Sequence, residues 1–87
     1  MTKSEMIERV YGIIFANAID CKHNPKTFKE NLNLVGDLNL SQISLVDIAR
    51  DINVDFGISF GYMEISGWRT IFDVIVTVSS HVKIEGE

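Results

Sequence analysis

The stretch that most constrains the fold is residues 37–60, DLNLSQISLVDIARDINVDFGISF. Its apolar residues recur at i, i+3, i+4, i+7 and i+11, which places their side chains on one face of an α-helix. Ser41 precedes them and suits the N-cap position, because its hydroxyl can accept a hydrogen bond from a backbone NH of the first turn. The sequence therefore predicts a helix that opens at Ser41 and runs to about Asp55, with Ile43 and Val46 widening its apolar face. The residues that define this face are Leu45, Ile48, Ala49, Ile52 and Phe56.

A second segment with the same spacing lies near the N-terminus. Ser4 is followed by Glu5 and Glu8, acidic residues that favour the start of a helix. The sequence predicts a helix over residues 4–19, in which Gly12 is the one weak helix former. Its apolar face consists of Ile7, Val10, Tyr11, Ile14 and Ala18.

The third such segment follows Thr70, which forms a T-x-x-D helix-start signal with Asp73. The run from Val74 to Val78 is rich in β-branched residues, which favour strands. We nevertheless predict a helix, because a lone strand would have no partner in this chain. The residues at helical spacing are Ile71, Val74, Ile75, Val78 and Val82.

Two connections separate these segments. Residues 20–33 hold the only proline and several lysines and asparagines, which predicts a polar loop with one turn around residues 27–31 and with Phe28 and Leu32 reaching the core. Glycines at positions 57, 61 and 67 flank a predicted short helical turn over residues 62–65. The sequence thus predicts one all-α domain over residues 1–87, a four-helix bundle of three long helices and one short helix.

Charge and composition narrow the possible partners. The net charge is −4 and the pI is near 5.0, so we expect no binding to nucleic acid, which requires clustered Lys and Arg. We expect a protein partner with a basic face instead. The single cysteine and the absence of a long apolar segment predict a cytoplasmic protein that does not associate with membranes.

Residues 37–60 resemble the core of acyl carrier proteins. The pattern of that core is Asp-Leu-x-x-Asp-Ser-Leu-Asp-x-Val-Glu-Leu, followed by spaced apolar residues. The resemblance implies an acyl-carrier-protein-like bundle with a long first loop and a short third helix. It also implies a monomer that carries an acyl or aminoacyl group on a 4′-phosphopantetheine arm. The matching positions are Asp37, Leu38, Ile43, Val46, Asp47, Ile48, Ile52, Phe56 and Phe60.

The sequence departs from this family at the residue that bears the arm. The attachment serine aligns with Gln42, whose carboxamide has no nucleophilic oxygen for a phosphodiester. Ser41 is the fallback attachment residue, although its hydroxyl is required for capping. We therefore expect a carrier-like domain without the cofactor.

The resemblance further implies that acidic residues dock the protein to basic patches on acyl-metabolism enzymes, such as a synthase, transferase or ligase. The corresponding residues are Asp37, Asp47, Asp51 and Asp55, and Arg50 interrupts the set. A solvated polar face without a partner is an equally good interpretation.

Other residues are weaker candidates for chemistry. Cys21 and His23, with His81, supply too few ligands for a metal site, and no third group completes a Cys–His catalytic pair. Four large apolar residues in the second half of the chain could line an acyl channel, but core packing is the simpler interpretation, and Trp68 is expected to be partly exposed. These four residues are Phe60, Tyr62, Met63 and Trp68.

Two functions remain open on the sequence. The first is a carrier or carrier-derived docking protein of fatty acid, polyketide or related acyl metabolism, with no catalysis of its own. The second is a small helical interaction or regulatory domain that is not acylated, since a shared fold does not fix function.

Overall fold

The structure is a computed structural model that describes residues 1–19 and 22–85. Within these ranges the regular structure is entirely helical, and the only β-type pairing is an isolated bridge between Asn33 and Thr70. The predicted all-helical fold with one short third helix is confirmed. The four helices are α1 (Lys3–Ala16), α2 (Gln42–Phe56), α3 (Tyr62–Ser66) and α4 (Ile71–His81).

Helix α1 begins earlier and ends earlier than predicted. Thr2 is its N-cap: the Thr2 hydroxyl accepts from the Glu5 backbone NH at 3.2 Å, and the Glu5 carboxylate accepts from the Thr2 backbone NH at 2.9 Å. At the other end the Asn17 side-chain amide donates to the Ile13 carbonyl at 2.9 Å, which satisfies a carbonyl of the last turn. The predicted extension to Ile19 is wrong, and that side chain is 94% exposed.

Helix α2 begins where the sequence predicts. The Ser41 hydroxyl accepts from the Ser44 backbone NH at 3.2 Å, and Gly57 ends the helix in the left-handed conformation at φ 65°. Four residues of the predicted face are buried and Phe56 is half-buried. Ile43 and Val46 do not widen this face as predicted, since both are exposed. At 100° per residue Ile43 points about 180° away from Ile52, toward solvent.

Helix α4 forms despite its β-branched residues. The Thr70 hydroxyl accepts from the Asp73 backbone NH, and the Asp73 carboxylate accepts from the Thr70 backbone NH at 3.0 Å, which completes a capping box. Ile71, Val74 and Val78 are fully buried. Burial of this face stabilises α4 more than its weak helix propensity destabilises it.

The long connection between α1 and α2 packs against the bundle. Phe28 is buried as predicted, and its ring meets the Tyr11 ring edge to face at 5.4 Å. Further along the loop, the Leu34 backbone NH donates to the Arg69 carbonyl at 2.8 Å, and the Ile71 backbone NH donates to the Leu32 carbonyl at 3.1 Å. These bonds attach the loop to the start of α4 and to the residues just before it.

One hydrophobic core contains residues from all four helices and from the loops, and no described charged or polar residue is buried in it. No helix in the described part of the chain is long and apolar enough to cross a membrane.

Candidate functional site

The aligned attachment position lies at the first turn of α2. Gln42 is the first helical residue and is exposed to solvent. The loop before it is held in place by Leu38 and Leu40, which are buried, while Asn39 between them adopts φ 56°. Because Asn is one of the few residues that tolerate this conformation, it suits the tight turn into the helix. The chain therefore presents residue 42 outward from a well-anchored turn.

The two serines beside Gln42 bond to each other and to the helix start. The Ser41 and Ser44 hydroxyl oxygens lie 3.1 Å apart, and the Ser41 hydroxyl also accepts from the Ser44 backbone NH. Loading Ser41 with phosphopantetheine would remove this N-cap, which is worth about 1 kcal/mol. The geometry thus makes the fallback attachment residue a structural residue of α2.

Asp51 and Asp55 lie along the edge of α2 that faces α1, whereas Asp47 lies on its outward side. The Asp55 carboxylate pairs with the Arg9 guanidinium at 2.8 Å, and the Asp51 carboxylate accepts from the Asn17 side-chain amide at 3.1 Å. Asp47 pairs with Arg50 on its own helix. Two of the three carboxylates therefore have a basic partner within the chain.

Asp37 lies apart from these residues, in the loop before α2. Its carboxylate accepts from the Asn33 backbone NH at 2.7 Å, and it closes the turn that positions Leu34 and Leu38 in the core. This aspartate has a structural contact that the sequence alone did not indicate.

The four residues considered for an acyl channel separate into two pairs. Phe60 and Trp68 are buried, and their rings meet edge to face at 5.5 Å. The Trp68 indole NH donates to the Thr77 hydroxyl at 2.9 Å, so the expected partial exposure of Trp68 is wrong. Tyr62 and Met63 are 65% and 84% exposed and do not line the interior.

The residues considered for metal binding do not form a site in the described part of the chain. Cys21 lies outside the described residues. The His81 ring lies 5.8 Å from the Phe60 ring. Among the described residues, no group of three or more His, Cys, Asp or Glu side chains could hold a metal ion.

The outward face of α2 bears a feature that the sequence interpretation missed. Ile43, Asp47, Arg50 and Val54 follow one another at spacings of four, three and four residues; we call these four residues the α2 ridge. Ile43 is 75% exposed and Val54 is 78% exposed. A helical projection of α2 would have placed both opposite the core face, but the prediction assigned Ile43 to the core on its apolar character alone.

The surface also contains a basic segment. Lys22, Lys26 and Lys29 surround a shallow groove in the connection between α1 and α2, together with His23, Thr27 and Leu32. A second groove lies between α1 and α2, where Gly12 and Ala16 leave room beside the Arg9–Asp55 pair. Both grooves are open to solvent.

No protein-family model and no curated protein matches this chain. The candidate site therefore rests on its own geometry, which is an anchored turn, an exposed residue at the first position of α2, and an outward face of mixed apolar and charged side chains.

Proposed function

We propose that this chain is a carrier-like docking protein of acyl metabolism that is not itself acylated. The observation that supports the proposal best is the position of Gln42. It is exposed at the first helical position of α2, where an acyl carrier protein has its attachment serine, and the turn before it is anchored by Leu38 and Leu40. The order of three longer helices and one short third helix is also that of the family.

The proposed docking surface combines the start of α2 with its exposed side chains. Asp47 and Asp55 have basic partners within the chain, so Asp51 and Asp37 are the carboxylates left to attract a basic enzyme face. Exposed charges of this kind mainly raise the association rate and the selectivity of docking. Ile43 beside Gln42 would supply apolar contact.

The unmodified state is tested by intact-mass analysis. The wild-type chain is incubated with coenzyme A and a broad-specificity phosphopantetheinyl transferase, and we expect no change in mass. A species heavier by one phosphopantetheine group would show that Ser41 or Ser44 accepts the arm and would contradict the proposal.

Docking is tested by competition. The same transferase loads an ordinary acyl carrier protein in the presence of increasing amounts of this chain, which we expect to slow the loading. Ile43→Asp should weaken the inhibition, whereas the control Val76→Asp, on the exposed side of α4, should not. Loading that continues at an unchanged rate at a large excess of this chain would contradict the docking function.

A second candidate function is a helical interaction domain with no relation to acyl transfer. The exposed apolar residues Ile43, Val46 and Val54 on α2 favour it, because they provide contact area without any attachment residue. Failure of the competition test, together with binding of an unrelated partner through these three residues, would favour this second function.

A further inference from the structure

The α2 ridge has the spacing of a helix-pairing seam. Positions separated by four, three and four residues lie within about 60° of one another around the helix and extend about 16 Å along it. This alternation of three and four is the spacing at which two helices interlock their side chains. The side chains of Ile43 and Val54 are largely exposed, as is that of Arg50, at 68%. Arg50 and Val54 also border the open groove between α1 and α2, so a helix placed on the ridge would lie beside α1.

The α2 ridge is complementary to the ridge of a second copy that runs in the opposite direction. It reads apolar, acidic, basic, apolar from Ile43 to Val54. In an antiparallel pair of α2 helices, Ile43 of one copy faces Val54 of the other, and Asp47 of one copy faces Arg50 of the other. Because the pair has two-fold symmetry, each contact occurs twice. The ends of such a seam are apolar and its centre contains two ion pairs.

We propose that a second copy of this chain packs on the α2 ridge in antiparallel orientation, forming a weak two-fold dimer. This replaces the monomer implied by the family resemblance. It is independent of the proposed docking function, since it rests only on the ridge.

Other occupants fit the ridge less well. A parallel pair of α2 helices would place Asp47 opposite Asp47 and Arg50 opposite Arg50, and like charges in contact destabilise a pair. A partner with a single sign of charge would repel one of these two residues. A wholly apolar partner would bury the Asp47–Arg50 pair without adding a new ion pair for either residue.

The size of the ridge sets the strength of the dimer. Helix α2 has 15 residues, so the seam alone is smaller than the roughly 1,000 Å² that stable specific interfaces bury. The dimer is accordingly reversible and forms at high protein concentration. It covers Ile43, next to Gln42, so a dimer and an enzyme docked at the start of α2 exclude each other.

Charge reversal tests whether two ridges form the contact. Sedimentation velocity of the full chain from about 20 µM to about 2 mM should show reversible dimerisation. Asp47→Arg and Arg50→Asp each place like charges across the seam and should weaken self-association at least about tenfold. An equimolar mixture of these two variants should associate as a heterodimer, because one ridge then has two basic residues at its centre and the other has two acidic residues. The control Val76→Asp should dimerise as the wild type does.

A second measurement, on the wild type, tests the orientation and needs no variant. In a mixture of isotope-labelled and unlabelled chains, filtered nuclear Overhauser spectra should show contacts between Ile43 methyl groups of one copy and Val54 methyl groups of the other. A wild type that stays monomeric at every concentration would overturn the proposal. So would Ile43-to-Ile43 contacts, or a variant mixture that associates no better than either variant alone.

Discussion

Gly12 lies at an exposed position within α1, and a Cβ added there meets no heavy atom within 4 Å. Glycine in a helix interior is less favourable than alanine because it loses more backbone freedom on folding. Gly12→Ala should therefore raise the free energy of unfolding by about 0.5–1 kcal/mol, measured by urea denaturation. Gly57→Ala is the contrasting control: it should destabilise the protein, because Gly57 has φ 65°. An unchanged or lower stability of Gly12→Ala would show that the position needs glycine.

Asp73 is expected to make the stability of α4 depend on pH. Partial burial acts to raise the pKa of Asp73, but hydrogen bonds from the Thr70 and Arg69 backbone NH groups and the Thr70 hydroxyl together lower it. A carboxylate with a lowered folded-state pKa stabilises the protein above its unfolded pKa of about 3.9, and this stability is lost as the pH falls through the folded-state value.

Asp73→Asn should lower the free energy of unfolding by about 0.5–2 kcal/mol near pH 7, since it weakens the capping box. It should also reduce the loss of stability on acidification below about pH 4. Urea denaturation at a series of pH values measures both effects, with Glu8→Gln as an exposed carboxylate control on α1. A variant with the same acid dependence as the wild type would contradict this role of Asp73.

Helix α4 is joined to the segment before it by a side-chain hydrogen bond. The Trp68 indole NH donates to the Thr77 hydroxyl, which in turn donates to the Asp73 carbonyl at 3.1 Å. Thr77→Val keeps the shape of the side chain but leaves the buried indole NH without its acceptor. We expect a loss of about 1–3 kcal/mol in the free energy of unfolding. Thr77→Ser retains the hydroxyl and should lose less; an equal loss in both variants would mean that packing, and not the hydrogen bond, is responsible.

Among the elements, several features set by neighbouring residues were predicted, whereas features that depend on distant residues were not. Ser41 and Thr70 are recognisable as caps because a cap bonds to the backbone three residues away. The burial of Trp68 depends on packing against α4 and the Phe60 ring, which its local sequence does not reveal. Two local features were nevertheless missed: the Thr2–Glu5 capping box at the start of α1, and the Asn17 side chain that bonds to the Ile13 carbonyl at its end.

The candidate site likewise combines features set by neighbouring residues with features set by distant residues. The position of Gln42 at the start of α2 follows from the local helix-start signal and was predicted. The partners of Asp51 and Asp55 are Asn17 and Arg9, which lie on or just after α1, far away in sequence. These two pairings were therefore not predicted. The exposure of Ile43 could have been predicted from its angular position on the helix, opposite the core face. Ile43 was assigned to the core face only because it is apolar.

For the whole molecule, a carrier-like fold and the ability to bear a phosphopantetheine arm are separate properties. Helix order, the anchored turn before α2 and the exposed residue 42 support the carrier-like fold. Under the proposed function Gln42 prevents loading, because an amide cannot form the phosphodiester that attaches the arm. The proposed function therefore predicts that one side chain, that of Gln42, distinguishes this protein from one that can be loaded.

Introducing a serine at position 42 tests this prediction. Gln42→Ser is incubated with coenzyme A and a broad-specificity phosphopantetheinyl transferase, beside the wild type and the double variant Ser41→Ala/Gln42→Ser. Intact-mass spectrometry should show one added phosphopantetheine group on both variants that carry the Gln42→Ser substitution and none on the wild type. A folded Gln42→Ser protein, verified by circular dichroism, that remains unmodified would contradict the proposed carrier-like function.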